Sequence, residues 1–223
     1  FNFPRPSIAD GSDHIRPATM RGLGPDQVLV LVNGKRRHVS SLVNVNGTIG
    51  RGSAGVDLNA LPANAIERIE VLRDGAAAQY GSDAIAGVIN IILRNDNRLT
   101  GAVTVGQNMT GFNGGTVDGR VIDLALDYGL ALPNAGFVHL SGMFRDRGFS
   151  NRSGGDPRAQ YTAAQLAADP TRRNPDTANP ATFPRKFRLG DAAAQDGGIF
   201  LNASLPINEN VNLYAFGGYT YRN

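Results

Sequence analysis

The sequence predicts an α+β domain over residues 1–95, followed over residues 96–223 by antiparallel strands of an incomplete transmembrane β-barrel, about five in number. Three observations predict it. Two strand-like runs flank a short glycine-bounded helix between Ala65 and Arg94. Beyond Arg94 the chain turns into segments of roughly ten residues in which apolar and polar side chains alternate, as a barrel wall requires. The connections between these segments include two tight turns and one long polar stretch.

In order, residues 1–20 are polar and rich in proline, which predicts extended loop. Val28–Val32 is an apolar run closed by Asn33-Gly34, a strong signal for a two-residue hairpin turn. The basic cluster Lys35-Arg36-Arg37-His38 follows and reads equally as a solvated edge or as part of a site. Residues 39–56 interleave Asn, Gly and Ser with single hydrophobes, which is loop chemistry. The stretch from Val56 leads into a short helix with Pro62 near its first position. In the strand from Ile66 to Arg73 both faces mix apolar and charged groups. Gly75 and Gly81 bracket Ala76-Ala77-Ala78-Gln79-Tyr80, a good helix former too short to stand alone. The run Val88 to Leu93 is apolar apart from Asn90, as expected of a strand buried on both faces. The Asn90 amide must therefore find partners inside.

In the second half, Ile122, Leu124, Leu126, Tyr128 and Leu130 share one face of a strand whose other face holds Val121, Asp123, Ala125, Asp127 and Gly129. Val138, Leu140 and Phe144 oppose His139, Ser141 and Arg145. Ile199, Leu201, Ala203 and Leu205 oppose Phe200, Asn202 and Ser204. Val211, Leu213, Ala215, Tyr219 and Tyr221 fall together, and a weaker segment covers 101–109. A soluble antiparallel sheet with one wet face alternates identically, so alternation alone leaves both readings open. Loop lengths add direction. The connections at 132–136 and 206–210 are tight, whereas 147–195 is long, polar and proline-rich. Outer-membrane barrels have short periplasmic turns and long extracellular loops. With the first strand rising from the periplasmic side, the tight turns fall second and fourth, as required. The long segment then lies outside the cell as mobile surface. Five strands cannot close such a barrel, and the start of the chain shows no secretory signal, which together predict a fragment cut at both ends.

At 223 residues the chain can hold one or two cored domains. It has no cysteine, which excludes disulfides and thiolate metal sites. A net charge of +3 from scattered Lys and Arg leaves no nucleic-acid footprint. No apolar run approaches the roughly 18 residues of a membrane helix, and the N-terminus lacks a secretory signal pattern. Catalytic constellations are missing too. His14, His38 and His139 are far apart, without zinc-ligand spacing. Gly50-Arg51-Gly52-Ser53-Ala54-Gly55 has the letters of a dinucleotide fingerprint but lies within loop, not between strand and helix. Ser53 lacks the glycine two residues before it that a Gly-x-Ser-x-Gly nucleophile elbow needs. Glu67 and Glu70, three apart on a strand, are expected on opposite faces and so not to act as a pair. The chain reads as a non-enzyme with no cofactor or metal.

Ile66-Glu67-Arg68-Ile69-Glu70-Val71-Leu72-Arg73-Asp74-Gly75, followed by Tyr80-Gly81-Ser82-Asp83-Ala84-Ile85-Ala86-Gly87-Val88-Ile89-Asn90-Ile91, resembles the end of the plug domain of TonB-dependent outer-membrane receptors. Met20-Arg21-Gly22-Leu23-Gly24 and the run from Val28 to Arg37 resemble two earlier plug motifs, in the family's order and spacing. The resemblance covers residues 15–95. It implies a plug inside a barrel of the Gram-negative outer membrane, in contact with membrane lipid. It further implies TonB as partner, although no segment matches the TonB-contacting peptide, and a small-molecule or metal-chelate ligand. The implied activity is energised uptake of a scarce nutrient, a ferric siderophore first, else cobalamin or an oligosaccharide. A structural or adhesive barrel without transport is the alternative. A buried charge needs a partner, and the resemblance implies that Arg21, Glu67, Glu70 and Arg73 pair with the inner barrel wall. It also implies that loop 38–56 climbs to the extracellular apex. There Arg37, His38, Asn44, Asn46, Arg51 and Ser53 would offer donors to an anionic or oxygen-rich ligand. Solvent-exposed charge and a lumen-filling loop are the plainer readings of these two sets.

Overall fold

The computed structural model describes residues 15–45, 50–111, 116–153, 158–176 and 190–223. The α+β part is built on a four-stranded sheet of β1 (Val28–Val32), β2 (Lys35–Arg36), β3 (Ile66–Leu72) and β4 (Gly87–Leu93), in the order β2-β1-β4-β3. The two apolar runs, β1 and β4, lie side by side in parallel at its centre, Val28 opposite Gly87 and Val32 opposite Ile91. Every residue of β1 is buried. One face packs Val30, Val32, Ile91 and Leu93 with Val56, Leu61 and Ala65, while the other packs Leu29, Leu31 and Val88 with Ala84 and Tyr80. The second face is covered by α1 (Ala76–Tyr80) and a 3-10 turn at Ser82–Ala84.

Local chemistry accounts for the connections. Asn33 and Gly34 both have positive φ, 47° and 76°, and turn β1 into β2 as a two-residue hairpin. The first half of the basic cluster, Lys35 and Arg36, is thereby an exposed edge strand. The helix expected around Pro62 is instead two 3-10 turns, Leu58–Ala60 and Ala63–Ala65. Asp57 caps the first by accepting from Asn59 N at 3.0 Å, and Pro62 precedes the second. Asn90 meets the expectation for its amide. Its Oδ1 accepts from Gly34 N at 3.0 Å and its Nδ2 donates to Glu70 Oε2 at 3.0 Å.

The second half forms one antiparallel sheet of consecutive strands: β5 (Leu99–Thr110), β6 (Thr116–Leu132), β7 (Gly136–Arg147), β8 (Ala194–Asn208) and β9 (Val211–Arg222). Each expected strand is present and somewhat longer. The burial pattern separates the two readings that alternation left open. On β6, Leu124, Leu126, Tyr128 and Leu130 are exposed while Asp127 is buried. On β7, Leu140 and Phe144 are exposed while His139 and Ser141 are buried, and on β8 Ile199, Leu201 and Leu205 are exposed while Asn202 is buried. A wet-faced soluble sheet buries its apolar side. This sheet does the reverse, which is what a lipid-facing wall does.

The chain falls into two compact units. One holds residues 1–104, 123–145 and 195–223, and in it β8 contributes Phe200 to the core of the α+β domain. A Cβ at Gly218 would lie 2.2 Å from Phe200 Cδ2, so the glycine makes room for that ring. The other unit holds residues 105–122 and 146–194. Its described part carries local order that composition does not predict. The short helix α2 (Ala163–Ala168) has a Thr162/Gln165 capping box. The Asn174 amide accepts from Gln160 N and Tyr161 N at 2.8 and 2.9 Å.

Candidate functional site

The loop after β2 is a narrow hairpin of backbone contacts. Ser40 N donates to Gly55 O at 2.8 Å, Asn44 N to Ser53 O at 2.9 Å and Gly52 N to Asn44 O at 2.7 Å. Its returning limb is pressed on two prolines: a Cβ at Gly50, φ +87°, would lie 2.2 Å from Pro25 Cδ, and one at Gly55 2.7 Å from Pro17 and Pro25. Of the residues expected to meet ligand, the ladder joins Asn44 and Ser53. The Ser53 hydroxyl donates to Gly50 O at 2.6 Å. His38 and Arg51 are exposed. Arg37 is half-buried; burial pushes its guanidinium below the usual range, and the Asp57 carboxylate opposes that shift. Asn44 is completely buried, and among the described residues neither its Oδ1 nor its Nδ2 has a hydrogen-bond partner. Asn46 lies outside the described residues. The loop thus presents two exposed basic side chains, donors suited to oxygen acceptors, and buries the Asn44 amide.

The charged residues of the plug-like motifs find partners within the α+β domain. Arg21 pairs with Asp74. Arg68 bridges the two glutamates, its Nε 2.9 Å from Glu70 Oε1 and its Nη1 3.4 Å from Glu67 Oε1. The expectation that Glu67 and Glu70 face apart needs correcting. The register of β3 against β4 slips between Ile66 and Arg68, and this bulge at Glu67 resets the alternation so that one arginine reaches both. Arg73 is exposed.

Contacts between the α+β domain and the inner face of the sheet come from residues that sequence reasoning missed. Asn64 Nδ2 reaches Asp127 Oδ1 at 3.0 Å and the carbonyls of Gly142 and Leu126 at 3.1 and 3.3 Å. Asn33 Nδ2 donates to Asn202 Oδ1 at 3.2 Å, and Asn202 Nδ2 to Arg94 O at 2.9 Å. Asp57, besides capping its 3-10 turn and accepting from Arg16 N at 2.9 Å, lies 3.4 Å from Arg222 Nη1. Arg222 in turn donates through Nε to Asp196 Oδ1 at 2.5 Å. The available signal was the row of polar residues alternating with the apolar ones on β6–β8.

At the link between domain and sheet, Arg94 grips Asp96 with two bonds of 2.9 and 2.7 Å. That guanidinium, aided by Arg98 and opposed by burial, holds the Asp96 carboxyl well below the usual carboxylate range. A depressed folded value contributes stability above the ordinary carboxylate range and loses it as pH falls through the folded value. Hydrogen exchange of residues 94–98, taken against the intrinsic rate, is therefore expected to accelerate below about pH 4 as Asp96 begins to protonate. Asp96→Asn should exchange fast across the whole range; an Asn variant as protected as the parent would contradict the role. Among the described residues, no three His, Asp or Glu side chains are placed to hold a metal.

Residues 5–88 match the model of the TonB-dependent receptor plug domain. The chain is 47% identical over 96 residues to the ferric enterobactin receptor PirA of Pseudomonas aeruginosa, covering 42% of this chain and 13% of that one. It is 33% identical over 144 residues to the vitamin B12 transporter BtuB of Vibrio cholerae, covering 64% of this chain and 20% of that one. Among solved structures, a ferric enterobactin receptor, PfeA, superposes with a TM-score of 0.61 at 23% identity over 91% of this chain and 26% of its own. The siderophore receptor PirA of Pseudomonas aeruginosa gives 0.53 at 22% identity over 92% and 27%. These likenesses in fold extend through the five-stranded sheet. The chain spans about a fifth or less of the curated relatives' length. Residues 5–88 thus match the plug domain of TonB-dependent receptors, and in this chain an inside-out wall is joined to that domain.

Proposed function

We propose that residues 1–95 act as the plug and residues 96–223 as barrel wall in a Gram-negative outer-membrane receptor that takes up a scarce nutrient with energy supplied through TonB. The observation that carries this reading is the wall's polarity. Apolar side chains face outward, where lipid would be, and polar ones face a compact domain seated on the inner side. An adhesive or purely structural barrel has no use for such a domain held by wall contacts. Ligand binding at the apex would shift the population of plug conformations, and TonB would act on the favoured one; no bond is made or broken. The relatives are named for ferric enterobactin, siderophores and vitamin B12, so a ferric siderophore is the first choice of ligand and cobalamin the second, with oligosaccharides next. Arg37, His38, Asn44, Asn46, Arg51 and Ser53 are the proposed ligand-facing set. Arg21, Glu67, Glu70 and Arg73 are proposed to steady the plug against wall strands beyond the five seen here.

The test is binding of ferric siderophores, cobalamin and oligosaccharides to a full-length receptor that carries this chain, in outer-membrane vesicles, with and without a Gly-Ser replacement of residues 40–54. One ligand class should bind, and the replacement should weaken it about 100-fold, or roughly 2.7 kcal/mol. Binding indifferent to the replacement would move recognition to the barrel loops. A correctly folded receptor that binds none of the panel would favour the structural reading.

A further inference from the structure

We propose that Asp57 and Arg222 tie the base of the apex loop to the wall, which makes Arg222 a positioning residue for whatever that loop binds. Only the ligand half of this rests on the loop being the ligand's seat, as proposed above. The returning limb of the loop runs onto a fixed floor. Gly55 O accepts from Ser40 N, the Gly55 backbone lies against Pro17 and Pro25, and Val56 is buried in the domain core. Asp57 follows directly, and its two carboxylate oxygens divide their partners. Oδ1 takes the local donors, Arg16 N at 2.9 Å and Asn59 N at 3.0 Å. Oδ2 faces Arg222 Nη1 at 3.4 Å. A neutral Asn or Ser caps a helical turn as well as Asp does. The charge of Asp57 therefore serves the arginine, not the cap.

The wall side is built to match. Asp196 and Arg222 stand opposite one another in the register of β8 and β9, at the end of these strands away from the tight turn that joins them. Asp196 is buried and accepts from Arg222 Nε at 2.5 Å. That bond fixes the plane of the guanidinium, and the rigid fork then carries Nη1 to Asp57. The side chains of Asp57 and Arg222 are 17% and 25% exposed, so solvent screens this pair less than one on an open surface. Arg37, at the other foot of the loop, is drawn to the same carboxylate. One side chain thus gathers the loop's entry, its exit and a wall strand. A displacement of β9 is carried to both limbs of the loop, and a displacement of the limbs is resisted by β9.

The experiment is hydrogen exchange on a full-length receptor carrying this chain, in detergent, followed at Ser40, Asn44 and Gly52, whose amides bond across the two limbs of the loop. Asp57→Asn keeps an oxygen for Arg16 N and Asn59 N and presents an NH2 group to Arg222. Opening at the three amides should rise about tenfold while the amides of β1 and β4 stay unchanged. Arg222→Gln should raise it as well, and the double variant should open no further than Asp57→Asn alone, because the two changes remove one contact. If Arg222→Gln does not fold, since it leaves Asp196 buried without its partner, Arg222→Gln combined with Asp196→Asn takes its place in the cycle. No rise in a folded variant of either residue, or rises that multiply in the double variant, overturns the proposal. The panel of ferric siderophores, cobalamin and oligosaccharides then reads the positioning. The member that the parent binds should bind about tenfold more weakly to Asp57→Asn. Loosened limbs with unchanged affinity would keep the tie and take the ligand off the loop, which is a failure of the apex as ligand seat alone.

Discussion

Gly129→Ala is expected to destabilise the chain by about 2–3 kcal/mol, at the upper end of what overpacking costs. A Cβ at Gly129 would lie 1.8 Å from Asp96 O, 2.8 Å from Asp96 C and 3.0 Å from Asn97 Cα. All three are backbone atoms, which cannot rotate aside as a flexible side chain would. The link must therefore lift off β6, and several contacts lift with it. Gly129 N donates to Arg98 O at 3.0 Å, and the Asp96 carbonyl is the partner of His139. Gly142→Ala, one strand over, is the matched control, since its Cβ would meet nothing closer than Leu126 O at 3.9 Å. It should stay within about 0.5 kcal/mol of the parent. Denaturant unfolding of both variants in detergent checks this; similar losses for the two would show that the close approach at Gly129 is relieved elsewhere.

The contrast between these two glycines marks the limit of sequence reading here. Both look like weak points in a strand, and only the fold says that one of them faces the returning link. Features set by near neighbours were legible. Val28–Val32 is a central strand, Asn33-Gly34 turns it, and the Asn90 amide is paired, though on a partly exposed face, because each follows from periodicity or turn chemistry within a few residues. The membership of each face of β6, β7 and β8 was legible for the same reason. Which face points outward was not, because alternation is unchanged when a sheet is turned over. Plug-to-wall partners were hidden by distance: Asn33 meets Asn202 across 169 positions and Asp57 meets Arg222 across 165. The bulge at Glu67 defeated a strict count of two, since one inserted residue inverts every face assignment between it and its neighbours. In the apex loop, composition gave the donors. It did not foretell that Ser53 would spend its hydroxyl on Gly50 while Asn44 would be buried with its amide unpaired among the described residues.

Arginine scanning of the outward face should separate a membrane wall from any sheet that stands in water. Leu126 and Leu130 are 58% and 44% exposed on the same face of β6, and the strand ends at Leu132 in the tight turn. A wall strand tilted by about 45° climbs roughly 2.3 Å per residue. Leu126 then lies about 14 Å above that end, near the middle of an apolar band about 25 Å tall, and Leu130 lies about 5 Å above it. Leu126→Arg should cost about 2–4 kcal/mol of folding free energy in lipid, and Leu130→Arg about 0–1, because only the second guanidinium can reach the interface. Water solvates both sites equally, so in a soluble sheet the two changes would be alike and small. Folding titrations in liposomes of a full-length receptor carrying this chain measure the difference. A gap of about 2 kcal/mol between them would fix both the outward face and the end of the strand that lies at the interface; equal values would mean that the exposed leucines never meet hydrocarbon.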